Sequence, residues 1–202
     1  MKNGFYRAGQ LLLGWGTVGV IYHLTDNLQG AGQVITPSWI DNKVPFSASA
    51  IWAYLSFFLI VPASYFLTPL TAVRWLTRSM QLTAVGAGLV YLLWPTTLVT
   101  PPDSGQGLAS VLLKQLISVD SAQNCLPSLH VALTLLAVWA IAKSRRHWLT
   151  VAFILWGGVI AFSILQLKRH LFIDLIGGVV LASGMGMLVS GLMRRQKEKL
   201  DE

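Results

Sequence analysis

Cysteine is nearly absent from this chain. Cys125 stands alone among 202 residues, which excludes an intramolecular disulfide and any Cys-rich metal site. Charge is scarce too: 11% of residues are Asp, Glu, Lys or Arg, against roughly a quarter in soluble domains. With 54% hydrophobic residues and a mean hydropathy of +0.60, little polar surface is left to meet water. The eight acids form no oxygen-rich carboxylate set of the kind Mg²⁺ prefers, so neither a metal nor another cofactor is expected. The net charge of +7 forms no basic, aromatic-interleaved stripe, and nucleic acid is not an expected partner. The cations fall instead in short breaks between apolar runs, where membrane orientation signals lie.

What is present is a series of apolar stretches. Six are long enough, or nearly so, to cross a hydrocarbon core that needs about 20 helical residues; they lie near 8–25, 48–68, 79–95, 127–143, 148–167 and 171–192. The expected fold is therefore all-α, an integral membrane bundle of six transmembrane helices forming a single domain over 1–202. Lys2 and Arg7 precede the first run as in a signal peptide, but no small-residue cleavage site of the A-x-A kind follows, so the run reads as an anchor. With the N-terminus inside, eleven cations are cytoplasmic and four (Lys43, Lys114, Lys168, Arg169) are outside. This bias makes the chain a multi-pass cell-membrane protein with both termini cytoplasmic. Two outer connections are long, about 26–47 and 96–126. The second carries an apolar stretch from Leu108 to Ile117, too short to span and expected to lie along the membrane surface. Glycines at 14, 16, 19, 177, 178, 184 and 186 read as sites of close helix packing.

Two segments carry the chemistry: Asn124-Cys125-Leu126-Pro127-Ser128-Leu129-His130 and Lys168-Arg169-His170-Leu171-Phe172-Ile173-Asp174. Each opens a span that runs from outside to inside, so topology alone puts both on one face. A helix N-terminus offers unpaired N–H groups and the positive end of a dipole, which suits a phosphate. Pro127 fits the first helical turn, Ser128 adds a hydroxyl donor, and His130 reaches the helix mouth. Lys168 and Arg169 would concentrate positive charge there. His170 and Asp174 are four apart, one turn on a helix, so the carboxylate can fix the imidazole tautomer and leave the other nitrogen to attack. Taken singly, such a histidine is more often a cap, an i,i+4 pair more often stabilises a helix, and a terminal Lys or Arg usually snorkels. Convergence of all of them on one face is what favours function.

Pro-Ser-Leu-His at 127–130 followed by Lys-x-His-x-x-x-Asp at 168–174 resembles the type 2 phosphatidic acid phosphatase (PAP2) superfamily, six-helix membrane phosphatases and phosphotransferases. Asn-x-x-Pro-Ser-Leu-His, the stretch Asp41–Phe46 and the region from Tyr91 to Pro102 look most like its inositol phosphorylceramide synthase branch, and the likeness covers roughly 40–190. The resemblance implies that His170 is the nucleophile, Asp174 orients it, His130 protonates the leaving oxygen, and Ser128 and Lys168 bind phosphate. The wider family's first signature, a Lys followed after six residues by Arg-Pro, is missing: residues 93–100 hold no cation, and Arg74 and Arg78 lie at the wrong end of the span. That implies a less positive phosphate pocket.

The expected function is metal-independent cleavage of a lipid phosphoester through a phosphohistidine intermediate at the extracytoplasmic face, acting on a lipid phosphate or phospholipid. One alternative is synthase-like transfer of a phosphoalcohol to a lipid alcohol acceptor; another is a non-enzymatic lipid or anion transporter, although its histidines would sit at span ends rather than at the midplane. The segment 106–118, with the loop 96–105, is the only obvious lid. His23 and Asp26 read as an interfacial pair. Asp41 and Asp120 read as loop residues, Asp41 with an ordering role in the long outer loop in reserve and Asp120 with a capping or bracing role at the site, Cys125 as packing, and His147 as a cytoplasmic bystander. Trp39, Trp52 and Trp94 suit an outer aromatic belt.

Overall fold

A computed structural model describes residues 2–28 and 30–201. The chain is mostly helical. α1 (Lys2–Leu28) is followed by a short α2 (Trp39–Lys43), a 3-10 turn (Ala48–Ala50) that leads into α3 (Ile51–Leu55) and α4 (Phe57–Leu67), and α5 (Leu70–Leu93). α6 (Leu108–Val119), α7 (Leu129–Ala142), α8 (His147–Gln166) and α9 (Phe172–Asp201) complete it. Six long segments traverse the bundle in alternating directions: α1, the run from Ala48 through α4, α5, α7, α8 and α9. Three of them, Ala48–Leu67, His147–Gln166 and Phe172–Asp201, are long and apolar enough to cross a membrane. α7, with 14 residues, spans about 21 Å at 1.5 Å per residue, short of the ~30 Å hydrocarbon thickness.

Helix boundaries follow local chemistry. α5 begins nine residues before its apolar stretch, directly after Pro69, because a turn containing Arg74 and Arg78 lowers hydropathy without lowering helix propensity. The second segment is interrupted at Ser56, which separates α3 from α4, and Pro62 removes a backbone donor within α4. The core lies between α4, α5, α7 and α8, around the fully buried Tyr54, Tyr65, Leu76, Met80, Tyr91, Leu136 and Ile160. The outside is also apolar: Leu89 on α5, Leu155 on α8, and Val180 and Leu188 on α9 are at least half exposed. A surface of this kind suits lipid.

One end of the bundle is locked together by its connections. β1 (Gln33–Val34) pairs in parallel with β2 (Thr96–Thr97), and Thr96 bridges to Asn124. The Thr96 hydroxyl accepts from Leu126 N–H at 3.0 Å, and Ser47 N–H donates to Gln166 O at 3.1 Å. Both candidate segments sit at this end.

Candidate functional site

Ser128 is the N-cap of α7: its Oγ accepts from Val131 N–H at 3.5 Å, and its own N–H donates to Asp174 O at 3.0 Å. That backbone bond fastens one motif to the other. Ser128 is fully buried, and the cap uses a lone pair, leaving the O–H to donate. Pro127 precedes the cap rather than occupying the first helical turn as expected, and its carbonyl accepts from Tyr91 OH at 2.6 Å. Such close approach of α9 to α7 needs glycine. A Cβ at Gly178 would lie 2.5 Å from Ser128 O, whereas one at Gly184 would meet nothing within 4 Å. Gly178→Ala is therefore expected to lower stability by about 1–3 kcal/mol through overpacking and to disturb the junction of the motifs, while Gly184→Ala stays near wild type. Thermal unfolding of the two variants in detergent measures the difference, and equal melting temperatures would count against a close-packed junction.

α9 starts at Phe172, so His170 stands just before the helix and Asp174 is its third residue. Asp174 Oδ2 accepts from Leu171 N–H at 2.8 Å, the return half of a capping box, and lies 3.4 Å from His170 Nδ1. Asp174 thus caps its helix and faces the imidazole. His170 Nδ1 and Asp174 Oδ1 are both buried without a hydrogen-bond partner among the described residues. With Nδ1 directed at the carboxylate, Nε2 is the nitrogen left for chemistry. His130, the second residue of α7, lies with its ring centroid 5.9 Å from that of His170 and is packed by Tyr54 and Phe57 at 4.7 and 4.6 Å. The structure brings the two histidines and Asp174 together.

Lys168 is placed differently. Its Nζ donates to Asp41 O at 2.7 Å and Val44 O at 2.6 Å, so the ammonium is docked on the end of α2. Its backbone is left-handed, φ 53°, a conformation that costs a non-glycine residue on the order of 1 kcal/mol. It lines a cavity of about 320 Å³ with Thr36, Asp41, Asn42 and Leu171, apart from the one that His130 lines.

Asp41, Asp120, Ser121 and Asn124 make further polar contacts around these residues. Asp41, 131 positions from Phe172, accepts its N–H at 2.7 Å and so caps α9 from across the fold, while its other oxygen forms a capping box with Ser38. Burial alone would raise the Asp41 carboxyl, but the Ser38 hydroxyl, the Phe172 and Ser38 N–H groups and Lys168 bring it below its ordinary value. Asp120 pairs with Arg169 at 2.8 Å and accepts from Tyr22 OH at 2.5 Å. Burial opposes ionisation of Asp120, yet Arg169, His130 and the Tyr22 bond hold it below the usual range; Asp120 in turn holds the buried Arg169 guanidinium above its own. Asn124 of the first motif donates to Tyr22 O at 3.1 Å, and Ser121 donates to Asp26 at 2.5 Å, so the outer end of α1 is tied to the site. The only signal for these contacts is that each residue is polar and close to a span end.

The remaining candidates fall away from the chemistry. Burial, with Asp174 nearby, pushes the Cys125 thiol up to about 12, so it stays protonated and unreactive at neutral pH. His147 opens α8 at the opposite end, and His23 is exposed on α1. Among the described residues no group of three or more His, Cys, Asp or Glu is placed to hold a metal ion. The arrangement offers an imidazole facing a carboxylate, a second imidazole facing the first, and a helix N-terminus.

Comparison with curated proteins and with solved structures finds no match. The family model of the PAP2 superfamily matches residues 28–188. That stretch takes in both motifs, the Asp120–Arg169 pair, α2 to α8 and the first part of α9, and on this match across most of its length the chain belongs to the PAP2 superfamily.

Proposed function

We propose that the protein is an integral membrane lipid phosphatase or phosphotransferase that cleaves a lipid phosphoester through a phosphohistidine at the extracytoplasmic face. The observation that carries this reading is the facing pair of imidazoles, His130 and His170, with Nδ1 of His170 turned to Asp174. In the first step Nε2 of His170 attacks phosphorus. The P–N bond forms as the P–O bond to the lipid alcohol breaks, and His130 gives that oxygen its proton. In the second, water or a lipid hydroxyl attacks phosphorus, its proton passes to His130, and His170 is released. Ser128 and Lys168 are the proposed phosphate contacts, Lys168 after leaving its carbonyl partners.

The charges at the site narrow the substrate. Asp41, Asp120 and Asp174 stand against Lys168 and Arg169, with Arg169 already neutralised by Asp120. A cradle with no excess positive charge suits a monoanionic phosphodiester better than a dianionic monoester, and so favours the synthase-like alternative, transfer of a phosphoalcohol to a lipid alcohol. The transporter alternative gains nothing from a nucleophile paired with an acid. Among the described residues, no donor set for a metal accompanies these side chains. Purified protein given lipid phosphomonoesters and phosphodiesters, with and without diacylglycerol or ceramide, should release or transfer the phosphoryl group. Chelator should leave the rate unchanged, and vanadate, which mimics five-coordinate phosphorus, should inhibit. Turnover that chelator abolishes and only Mg²⁺ restores would sink the metal-free mechanism.

Six spans and an outer site complete the proposal, supported by the alternating directions of the six long segments and the eleven-to-four distribution of cations. A reporter fused at Gln166 should read the extracytoplasmic side and one at Arg145 the cytoplasm; the reverse result would put the site on the inner leaflet.

A further inference from the structure

A second cavity, of about 250 Å³, opens beside His130 between α1, α3, α4, α6 and the start of α7. Its walls are apolar and graded in exposure. Gly19, Phe58 and Val119 at the mouth are exposed, whereas Tyr54, Leu129 and Leu133 at the floor are nearly completely buried. Polar groups gather at one part of the lining: His130, Asp120 and the Tyr22 hydroxyl that donates to Asp120. His170 does not line it. Four of its residues, Trp15, Val18, Gly19 and Tyr22, precede the stretch that the family model matches, so this wall is not part of the family match.

The side on which the cavity lies has a chemical meaning. In an in-line displacement the leaving oxygen departs opposite the nucleophile, towards the group that protonates it. A cavity that His130 lines and His170 does not is therefore on the leaving-group side. We propose that this cavity holds the near end of the alkyl chain of the lipid alcohol, with its hydroxyl at His130, Asp120 and Tyr22, and that Gly19 sets how much chain enters. This rests on the phosphoester reading above. As the P–O bond breaks and the P–N bond to His170 forms, the alcohol oxygen takes the proton of His130 and remains in the cavity as a neutral alcohol. The volume admits only the first part of a chain, and the rest passes between Gly19, Phe58 and Val119 into the lipid. An acceptor alcohol would use the same cavity in the reverse sense, which lets one apolar site serve donor and acceptor in turn.

Photolabelling tests the assignment without turnover. The full-length protein in phosphatidylcholine vesicles is irradiated with a long-chain alcohol carrying a diazirine on its chain, or with the matching hydrocarbon that lacks the hydroxyl. Labelled peptides are then identified by mass spectrometry. The alcohol should label α1 around Trp15–Tyr22 and the segment around Leu116–Leu133 more than the hydrocarbon does, while both label the lipid-facing surface of α8 equally. Gly19→Phe should cut the alcohol-specific labelling on the order of tenfold, the scale of discrimination that a misfit group imposes in an apolar pocket. A Cβ at Gly19 meets nothing within 4 Å, and the fully separate rim variant Val119→Trp, at a position 82% exposed, should act in the same direction. Equal labelling by alcohol and hydrocarbon, or labelling indifferent to both variants, would overturn the assignment even if the enzyme cleaves lipid phosphoesters. The expected labelling in a protein that turns over none of them would uphold the cavity and remove the reaction.

Discussion

His170→Ala is expected to lower turnover on the order of a thousandfold or more, because nothing else at the site can take the phosphoryl group. Cys125 is buried and protonated, and His130 is the proposed acid for the leaving group. The fold should survive: His170 precedes α9, and the helix start does not depend on a hydrogen bond from its side chain, whereas Leu171 and Phe172 are held by Asp174 and Asp41. Asp174→Asn makes the complementary case. The amide oxygen can still accept from Leu171 N–H, so the cap persists, while the charge facing Nδ1 is lost. Its turnover should fall less than that of His170→Ala, with the melting temperature nearly kept. Steady-state rates on one lipid phosphoester, with thermal unfolding alongside, read both variants. Near-normal turnover of His170→Ala would end the mechanism.

His130→Ala should be selective in a way that no structural defect reproduces. A general acid contributes about a hundred- to ten-thousandfold when the leaving group is a poor one, such as an aliphatic alkoxide, and little when the leaving group is already stable as an anion. The variant should therefore lose roughly that factor on a lipid alcohol ester and far less on a nitrophenyl phosphoester of equal charge. The packing of His130 between Tyr54 and Phe57 makes some loss of stability certain to accompany alanine, which is why the ratio of the two rates, rather than either rate, is the readout. Equal losses on both substrates would assign His130 a packing role and leave the leaving oxygen without its acid.

The motifs could be placed on one face from sequence because hydropathy fixes how often the chain turns back, and two spans separated by one other must begin at the same end. The i,i+4 spacing of His170 and Asp174 was legible for the same local reason, although the helix starts after His170 and Asp174 doubles as its cap. What escaped was tertiary. Asp41 reaches Phe172, Asp120 reaches Arg169, and Tyr22 reaches Asp120 across 98 residues; polarity marks such residues, but only folding supplies the partner. Lys168 shows the converse: its place in the motif suggested an anion, and its side chain is held by two backbone carbonyls instead. Hydropathy also measures something other than helix length, and so it missed the start of α5; of the six expected spans, three helices meet both the length and the hydropathy criterion.

The central claim is a covalent bond between phosphorus and Nε2 of His170, and trapping it is the most direct measurement. Purified enzyme mixed with a donor labelled on phosphorus, quenched in alkali within the first turnover and digested, should carry the label on the peptide containing His170, in a linkage stable to alkali and labile to acid. His170→Ala should carry none. Label absent from the wild-type protein during rapid turnover, or found on a residue other than His170, would contradict the account.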